Sequence, residues 1–456
     1  MRVKEHGHWT NPSVLMLAGD DNPIDVITQK ARTLVFDAIQ NGWTGPPFDP
    51  FTLAEYLKLS IIPREDVADA RTVPSGSQLR IEFNPNRSRS RVRYSIFHEI
   101  AHTLFPDCKE LVRHRLAHEE MQGDDWQLEM LCNMAASELL MPIGSLPTLE
   151  AEHLTIDSIL ELRKKYEAST EAILLRAVRI THEPCLVFTA SRRERNGQPT
   201  YQVDYAVASR AWGKPPVSAG FTLPNDTVAT ECTAIGFTAK KHEEWSGFGK
   251  LRVECVGIPS YPGETFPRVA GLAKTQRSAS SLPEITYLRG DATRPRGDGI
   301  RIVAQIVNDR AAMWGGGFAL VVRKKWPQVQ ESFRSWAESG NLELGKTHVV
   351  FADSSTAVFN MICQHGYGPS PKPRIRYAHL KSCLDHLASF ALQRQASVHL
   401  PRIGCGQAGG SWEIVSELID YTLCRQGIRV TVYDLPNAEI RLGAQPGLGF
   451  TESVPS

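Results

Sequence analysis

The 456-residue chain predicts three folded parts in succession: an α+β N-terminal domain, a β-rich middle segment and a three-layer α/β domain at the C-terminal end. Three observations carry that reading. Two helical patterns in the first 145 residues bear closely spaced His and Glu residues; beyond Pro184 the texture turns to short extended segments; from Ile285 to Pro436 extended and helical segments alternate regularly, as in a sheet covered by helices. A chain this long exceeds what one hydrophobic core organises.

Composition narrows the class of protein. Hydrophobic residues at 42% and charged residues at 22% describe an ordinary globular chain. With 51 Lys and Arg against 50 Asp and Glu, no global field draws the protein to nucleic acid or an anionic membrane, so partners must be recognised locally. The nine cysteines are scattered and form no Cys-x-x-Cys pair, which suits a reducing cytoplasm. Near the N-terminus the only apolar run is Val14 to Gly19, too short for a signal peptide or a membrane span, so a cytoplasmic location is expected.

The first domain is expected over residues 1–183. A cluster rich in Pro, Gly and Ser at Pro142 to Pro147 closes its opening block, and the apolar spacing from Leu154 to Ile180 predicts two amphipathic helices, split near Ser169, that pack back on that domain. Residues 184–275 form the β-rich segment, of unassigned role. Its predicted strands are Leu186 to Ala190, Tyr201 to Val207, Val228 to Ala239 and Leu251 to Val256, with Asn196-Gly197 as a hairpin turn. Gly271 to Pro283 reads as linker, its core at 276–283. In the third domain, 284–436, strands are predicted at Ile285 to Leu288, Ile302 to Val307, His348 to Phe351, Val358 to Ile362, Ser397 to Leu400 and Ile428 to Tyr433. The Gly- and Pro-rich tail, 437–456, is expected to be disordered.

The stretch from Val92 to Leu104 sets Val92, Ile96, Ile100 and Leu104 at helical spacing, so one face of that helix is expected to be buried. On it His98 and His102 lie one turn apart, which lets both imidazoles reach a single cation with Glu99 beside it, the His-Glu-x-x-His pattern of zinc hydrolases. A catalytic zinc needs a third protein ligand, and Glu129, on a second predicted helix, is the candidate; Asn133, one turn further, is placed to hydrogen-bond a ligand from behind. Zinc with two neutral imidazoles and one carboxylate stays positive and can activate water, with Glu99 as proton acceptor. His114 and His118 are also four apart but no Glu follows His114, so they read as a solvated helix face. Arg87, Arg89, Arg91 and Arg93 alternate and read as a solvated strand face, with an acidic substrate segment or nucleic acid as the alternative.

The stretch Arg91 to Pro106, followed by Glu129-Met130-Leu131-Cys132-Asn133-Met134-Ala135-Ala136-Ser137-Glu138-Leu139-Leu140-Met141-Pro142, resembles the ImmA/IrrE metallopeptidases, with Cys132 where alanine is common. The resemblance covers about residues 25 to 180. It implies a zincin-like fold, Glu129 as third zinc ligand, a cytoplasmic setting and a helix-turn-helix repressor as protein substrate.

Two glycine-rich loops each leave a predicted strand and enter a helix: Asn308 to Ala319, containing Gly315-Gly316-Gly317, and Pro401 to Trp412, containing Gly404-Cys405-Gly406-Gln407-Ala408-Gly409-Gly410. Glycines let backbone N–H groups approach a diphosphate, and a helix N-terminus adds favourable potential. With Gly290-Asp291-Ala292-Thr293, the loops resemble the macrodomain over about Ile285 to Pro436, and Gln364 to Gly368 most resembles the branch of ADP-ribose-phosphate phosphatases and terminal ADP-ribose glycohydrolases. That resemblance implies ADP-ribose as ligand, held by Asp291 at the adenine and by Ala292, Asn308, Trp314, Gly315, Gly316, Gly317, Phe318, Gly404, Cys405, Gly406, Gln407, Ala408 and Gly409; Tyr433, at the end of the last strand, reads either as a stack for adenine or as a core residue. Ala408 stands where the glycohydrolases carry a catalytic aspartate, and Ile362 to His365 lacks their lysine. What remains is either an ADP-ribose reader or an enzyme that uses Asn308, Asp309 or His365 with an ordered water.

The leading expectation is therefore a zinc endopeptidase coupled to ADP-ribose or to an ADP-ribosylated protein or nucleic acid, with no membrane partner. Two alternatives stand beside it: a macrodomain hydrolase recruited by the zinc domain, and a regulator that acts by binding alone.

Overall fold

A computed structural model describes residues 9–76, 78–109, 113–114, 123–146, 154–195, 198–213, 217–245, 249–261, 264–275, 283–368 and 370–434. The chain folds as two compact units, one of residues 1–27, 46–141 and 147–281, the other of 28–45, 142–146 and 282–456. The β-rich segment, expected to stand apart, groups with the N-terminal unit. The Pro142 to Leu146 cluster, expected as a boundary of the first domain, and residues 28–45 group with the C-terminal unit.

In the first unit the chain runs through α1 (Pro12–Ala18), the start of α2 (Pro23–Gln40), α3 (Pro50–Tyr56), β1 (Ser60–Pro63), β2 (Ala70–Ser75), β3 (Gln78–Phe83), α4 (Arg89–His102), β4 (Arg113–His114) and α5 (Asp125–Leu140). The apolar run after Val14 is α1, started by Asn11, whose side chain accepts the N–H groups of Ser13 and Val14. The strands form a sheet of order β1-β3-β2-β4, with β1 parallel to β3 and the other pairs antiparallel. Against β2 and β3 packs α4, which also packs against α5. Because α4 has neighbours on several sides, every residue from Ser95 to His102 is buried, a wider burial than the single apolar face predicted.

Two expectations from this region are corrected. Arg89, Arg91 and Arg93 lie on the first turns of α4 and not on a strand, since Ser88 already stands at the helix start. Their charges are met by acids of the same unit: Arg87 and Arg91 pair with Asp69 and Arg89 with Glu167, while Arg93 is buried and donates to the carbonyl of Phe48. His114 belongs to β4, opposite Arg71, and not to a helix; His118 lies outside the described residues.

Two helices, α6 (Ile156–Tyr166) and α7 (Thr170–Ile180), follow, with Ser169 as the cap that starts α7. They pack on the next sheet, and the buried pair of Arg176 and Glu138 ties α7 to α5. That sheet contains β5 (Cys185–Arg195), β6 (Gln198–Ala208), β7 (Thr238–Trp245), β8 (Gly249–Ile258) and β9 (Arg268–Thr275), all antiparallel, in the order β6-β5-β9-β8-β7. Arg195 pairs with Gln198; Asn196-Gly197 lies outside the described residues.

Here the structure departs from expectation twice. Val228–Glu231 is a short 3-10 turn and the strand begins only at Thr238, because the buried Glu243 carboxylate captures the Val228 N–H, the Thr227 hydroxyl and the Trp245 indole N–H. Gly271 to Thr275, read as linker, is the end of β9, in the centre of the sheet between β5 and β8. Its small residues serve packing: a Cβ on Gly271 would lie 2.1 Å from the Phe188 ring. The linker core at 276–282 and the tail at 435–456 lie outside the described residues.

The second unit holds β10 (Thr286–Arg289), β11 (Arg301–Asn308), α8 (Gly317–Lys325), α9 (Pro327–Trp336), β12 (Thr347–Phe351), β13 (Thr356–Gln364), α10 (Tyr377–Arg394), β14 (Ser397–Pro401), α11 (Trp412–Thr422) and β15 (Val430–Asp434). The six strands follow the order β10-β15-β14-β11-β13-β12, parallel except for β12. Val303, Val307, Val358 and Ile362 share a core with Val322 of α8 and Val329 and Phe333 of α9. From the early chain, Phe36 of α2 packs on Tyr377, Arg32 lies over the Tyr421 ring, and the Gly144 N–H donates to Glu417.

Gly271→Ala is expected to destabilise the full chain by about 1–3 kcal/mol through overpacking against Phe188, measured as a lowered denaturant midpoint; an unchanged midpoint would refute the close-packing account of β9.

Candidate functional site

The metal-type constellation is assembled by α4 and α5. His98 and His102, one turn apart on α4, have ring centroids 4.9 Å apart. From α5 the buried Glu129 meets both: one carboxylate oxygen is 3.2 Å from His98 Nε2 and the other 3.6 Å from His102 Nε2. Each ring is held from its opposite nitrogen. His98 Nδ1 lies 3.0 Å from Asn133 Oδ1, which also accepts the Tyr94 hydroxyl, and His102 Nδ1 lies 3.3 Å from Cys132 Sγ. Glu99 is fully buried, its carboxylate accepting the Thr72 hydroxyl of β2 at 2.8 Å.

The donor set fits a divalent cation. Asn133 Oδ1 can only accept, so His98 Nδ1 carries a proton, and whenever the ring holds no second one its Nε2 turns a lone pair toward a carboxylate oxygen. Two electron-rich atoms facing each other in a buried site repel unless a cation stands between them. Two ligands each about 2.1 Å from a tetrahedral zinc are about 3.4 Å from one another, and the 3.2 and 3.6 Å separations bracket that spacing. His98, His102 and Cys132 also bring ligand-type atoms within 4.8 Å of one another. Cys132, however, faces Nδ1 of His102, whereas the Glu129 carboxylate lies beside the Nε2 atoms of both rings.

In the second unit the parallel strands bring the loops together. β10, β11, β13, β14 and β15 run the same way, so Asp291, the Asn308 loop, the Gln364 to Gly368 segment and the Gly404 loop all stand at the C-terminal ends of strands, the usual ligand edge of an open α/β sheet. The two glycine loops approach each other: a Cβ on Gly316 would lie 3.0 Å from the Gln407 side chain. Gly317, opening α8, and Gly404 and Gly409 in the second loop all have positive φ, a backbone that favours glycine. Gly315, Gly406, Gln407 and Gly409 are exposed, Phe318 is half-buried, and Ala292 and Ala408 are buried. Burial pushes the Cys405 thiol up to about 12, away from nucleophilic use. Asp291 accepts the Thr293 N–H and hydroxyl and keeps its carboxylate partly exposed.

Three expected ligand contacts are corrected. The Trp314 side chain is buried in the core, its ring tilted against Phe333 with centroids 5.0 Å apart, because an indole after a strand end is drawn to the apolar face beneath α9. Tyr433 is also core: it is 3% exposed and its hydroxyl meets His399 Nδ1 and the Arg296 N–H, which leaves no ring face for adenine. Asn308 directs its side-chain oxygen to the N–H groups of Arg310 and Ala311, shaping the loop, so its expected catalytic role yields to a structural one. Asp309 and His365, by contrast, meet: Oδ2 and Nδ1 are 2.8 Å apart, and Asp309 Oδ1 accepts the Gly366 N–H at 2.9 Å. Those two hydrogen bonds hold the Asp309 carboxyl below its ordinary range, although burial pulls it the other way first.

Sequence reasoning missed Tyr94 and Thr72. Tyr94 lies one turn before His98 and was accessible through helical spacing; Thr72 comes from a strand 27 residues from Glu99 in sequence and carries no local signal.

Residues 55–178 match the family model of the IrrE N-terminal-like domain, Peptidase_M78. The chain is 29% identical over 154 residues to the radiation response metalloprotease IrrE of Deinococcus deserti, covering 32% of this chain and 54% of that protein, about half its length. It is 29% identical over 165 residues to human ADP-ribose glycohydrolase OARD1, covering 34% of this chain and 99% of the relative. Among solved structures, a macrodomain protein from Streptomyces coelicolor shares 42% identity over 33% of this chain and 99% of its own, with a TM-score of 0.30. The chain thus joins an IrrE-like peptidase-family domain to macrodomain homology. Among the described residues no helix is long and apolar enough to cross a membrane.

Replacing Asn133 with Ala should weaken zinc affinity roughly 10- to 100-fold by freeing the His98 ring, measured by chelator competition on the intact protein; Glu129→Ala should cost more. Unchanged zinc affinity in Glu129→Ala would reject Glu129 as a ligand.

Proposed function

We propose that the chain is a zinc-dependent endopeptidase whose peptidase domain is joined to a unit that binds ADP-ribose. The observation that carries this reading is the convergence of two imidazole Nε2 atoms on the buried carboxylate of Glu129, with Glu99 next to His98 on the same helix. Zinc bound there would supply Lewis acidity and lower the pKa of a bound water to about 7. His98, His102 and Glu129 would hold the ion, with Asn133 and Cys132 fixing the two rings. Glu99 accepts the proton of the attacking water, and Thr72 fixes the rotamer in which it does so.

The substrate in this reading is a regulatory protein of the helix-turn-helix repressor type, cleaved in the cytoplasm, as the ImmA/IrrE resemblance implies. Coupling is favoured by the way the chain is divided: residues 28–45 and 142–146, which flank the peptidase helices in sequence, belong to the unit that carries the nucleotide loops. A second reading, in which that unit is itself a hydrolase of ADP-ribose derivatives, is favoured by the pairing of Asp309 with His365.

Glu99→Gln should retain one equivalent of zinc while cleavage of a panel of helix-turn-helix repressors, followed by mass spectrometry, falls roughly 100- to 10,000-fold; full cleavage by that variant would end the peptidase assignment. ADP-ribose at saturation, with binding established by calorimetry, should change the cleavage rate, and an identical rate with and without it would remove the coupling.

A further inference from the structure

We propose that an open cavity at the start of α4 docks an acidic, aromatic-bearing segment of the polypeptide that the zinc site cuts; this rests on the peptidase reading. The cavity has a volume of about 470 Å³ and lies within the first unit. Its floor is apolar, made by Phe51 of α3, Phe83 at the end of β3, Pro85, and Val92 of α4. The Phe51 and Phe83 rings meet edge to face with centroids 5.7 Å apart, and Phe51 is still 41% exposed. An aromatic pair left open to water in this way gains from a further ring laid against it.

The rim is cationic. Arg87, Arg89 and Arg93 line it, with Asp49 as the acid among them. Their ion pairs are shared, two guanidiniums to one carboxylate: Arg87 and Arg91 divide Asp69, and Arg89 and Arg93 divide Glu167. Asp49 lies 3.9 Å from Arg93, and its other oxygen is taken by the Thr52 N–H and hydroxyl at the start of α3. Arg93 is the least satisfied of the set. Its side chain is 5% exposed, and its Nε, 3.6 Å from Glu167, makes no hydrogen bond. A buried guanidinium with a free donor gains from an anion brought to it. The helix start adds to that pull, because Ser88 supplies no side-chain cap for the first N–H groups of α4.

Charge and shape select the occupant. A run of phosphates would meet Asp49, Asp69 and Glu167 along with the arginines, so the site does not suit nucleic acid. A carboxylate on either side of a large ring does suit it. The ring covers Phe51 and Phe83 while each carboxylate takes a guanidinium, of which Arg89, 78% exposed, is the most accessible. Val92 precedes His98 on the same helix by about 9 Å along its axis, a span that about three extended residues cover. A segment held at the cavity thus belongs to the same stretch of polypeptide as the bond presented to the zinc ligands.

The test uses a short fluorescein-labelled peptide of Gly and Ser with a central Glu-Phe-Asp, followed by anisotropy as the full-length chain is added. The chain carries Glu99→Gln so that the peptide stays whole. The peptide should bind, and versions with Gln-Phe-Asn or Glu-Ala-Asp at the centre should bind at least about 10-fold more weakly. Arg89→Glu and Phe51→Ala, both at exposed side chains, should each lower affinity about 10-fold while circular dichroism shows the chain folded. Undiminished affinity in both variants, or tighter binding of single-stranded DNA of the same length, would overturn the docking site. Absence of peptide binding to a chain that, with Glu99 intact, cuts a repressor would overturn the docking site alone. Peptide binding that both substitutions weaken, in a chain that with Glu99 intact cuts no repressor, would strike the peptidase reading and with it the claim that the docked segment is substrate.

Discussion

A carboxylate buried against two imidazoles is the constraint around which the first unit is organised. With His98 neutral and no cation between them, the lone pairs of His98 and Glu129 would oppose each other at 3.2 Å in a site removed from water. The surrounding residues accept that arrangement and reinforce it. Asn133 settles the tautomer of His98, Cys132 meets His102 from behind, and Thr72 holds Glu99 across from the sheet. A protein that needed only a packed core would place apolar residues at these positions, since buried charge is costly unless something compensates it.

The second unit obeys a different constraint, that of the parallel strand. Strands running one way deliver all their following loops to one edge, so the residues at positions 291, 309, 365 and 404 to 409 gather there despite their separation in the chain. Glycines at positive φ then let the backbone of those loops turn tightly. The same geometry explains why Trp314 and Tyr433 fail as ligand contacts: next to a strand end, a large apolar ring gains more from the core beneath the helices than from the exposed rim.

Where expectation and structure part, the reason is a partner distant in sequence. Val228 to Ala239 has the composition of a strand, yet Glu243 bends its start into a turn. Gly271 to Thr275 looks like linker because its residues are small, and small residues are what a central strand needs beneath Phe188. The alternating arginines near position 90 have the period of a strand, but α4 begins at Arg89 and their charges are met by Asp69 and Glu167.

By itself the sequence determined the identity of the local chemistry: the one-turn spacing of His98 and His102, the glycine loops, and the six strand positions of the C-terminal unit, all of which depend on periodicity within a few residues. Only the tertiary structure decided which distant groups meet. That Glu129 rather than Cys132 faces both Nε2 atoms, that Thr72 reaches Glu99, and that Asp309 closes on His365 are matters of register between elements. Register is set by packing across the whole fold, and local spacing carries no record of it.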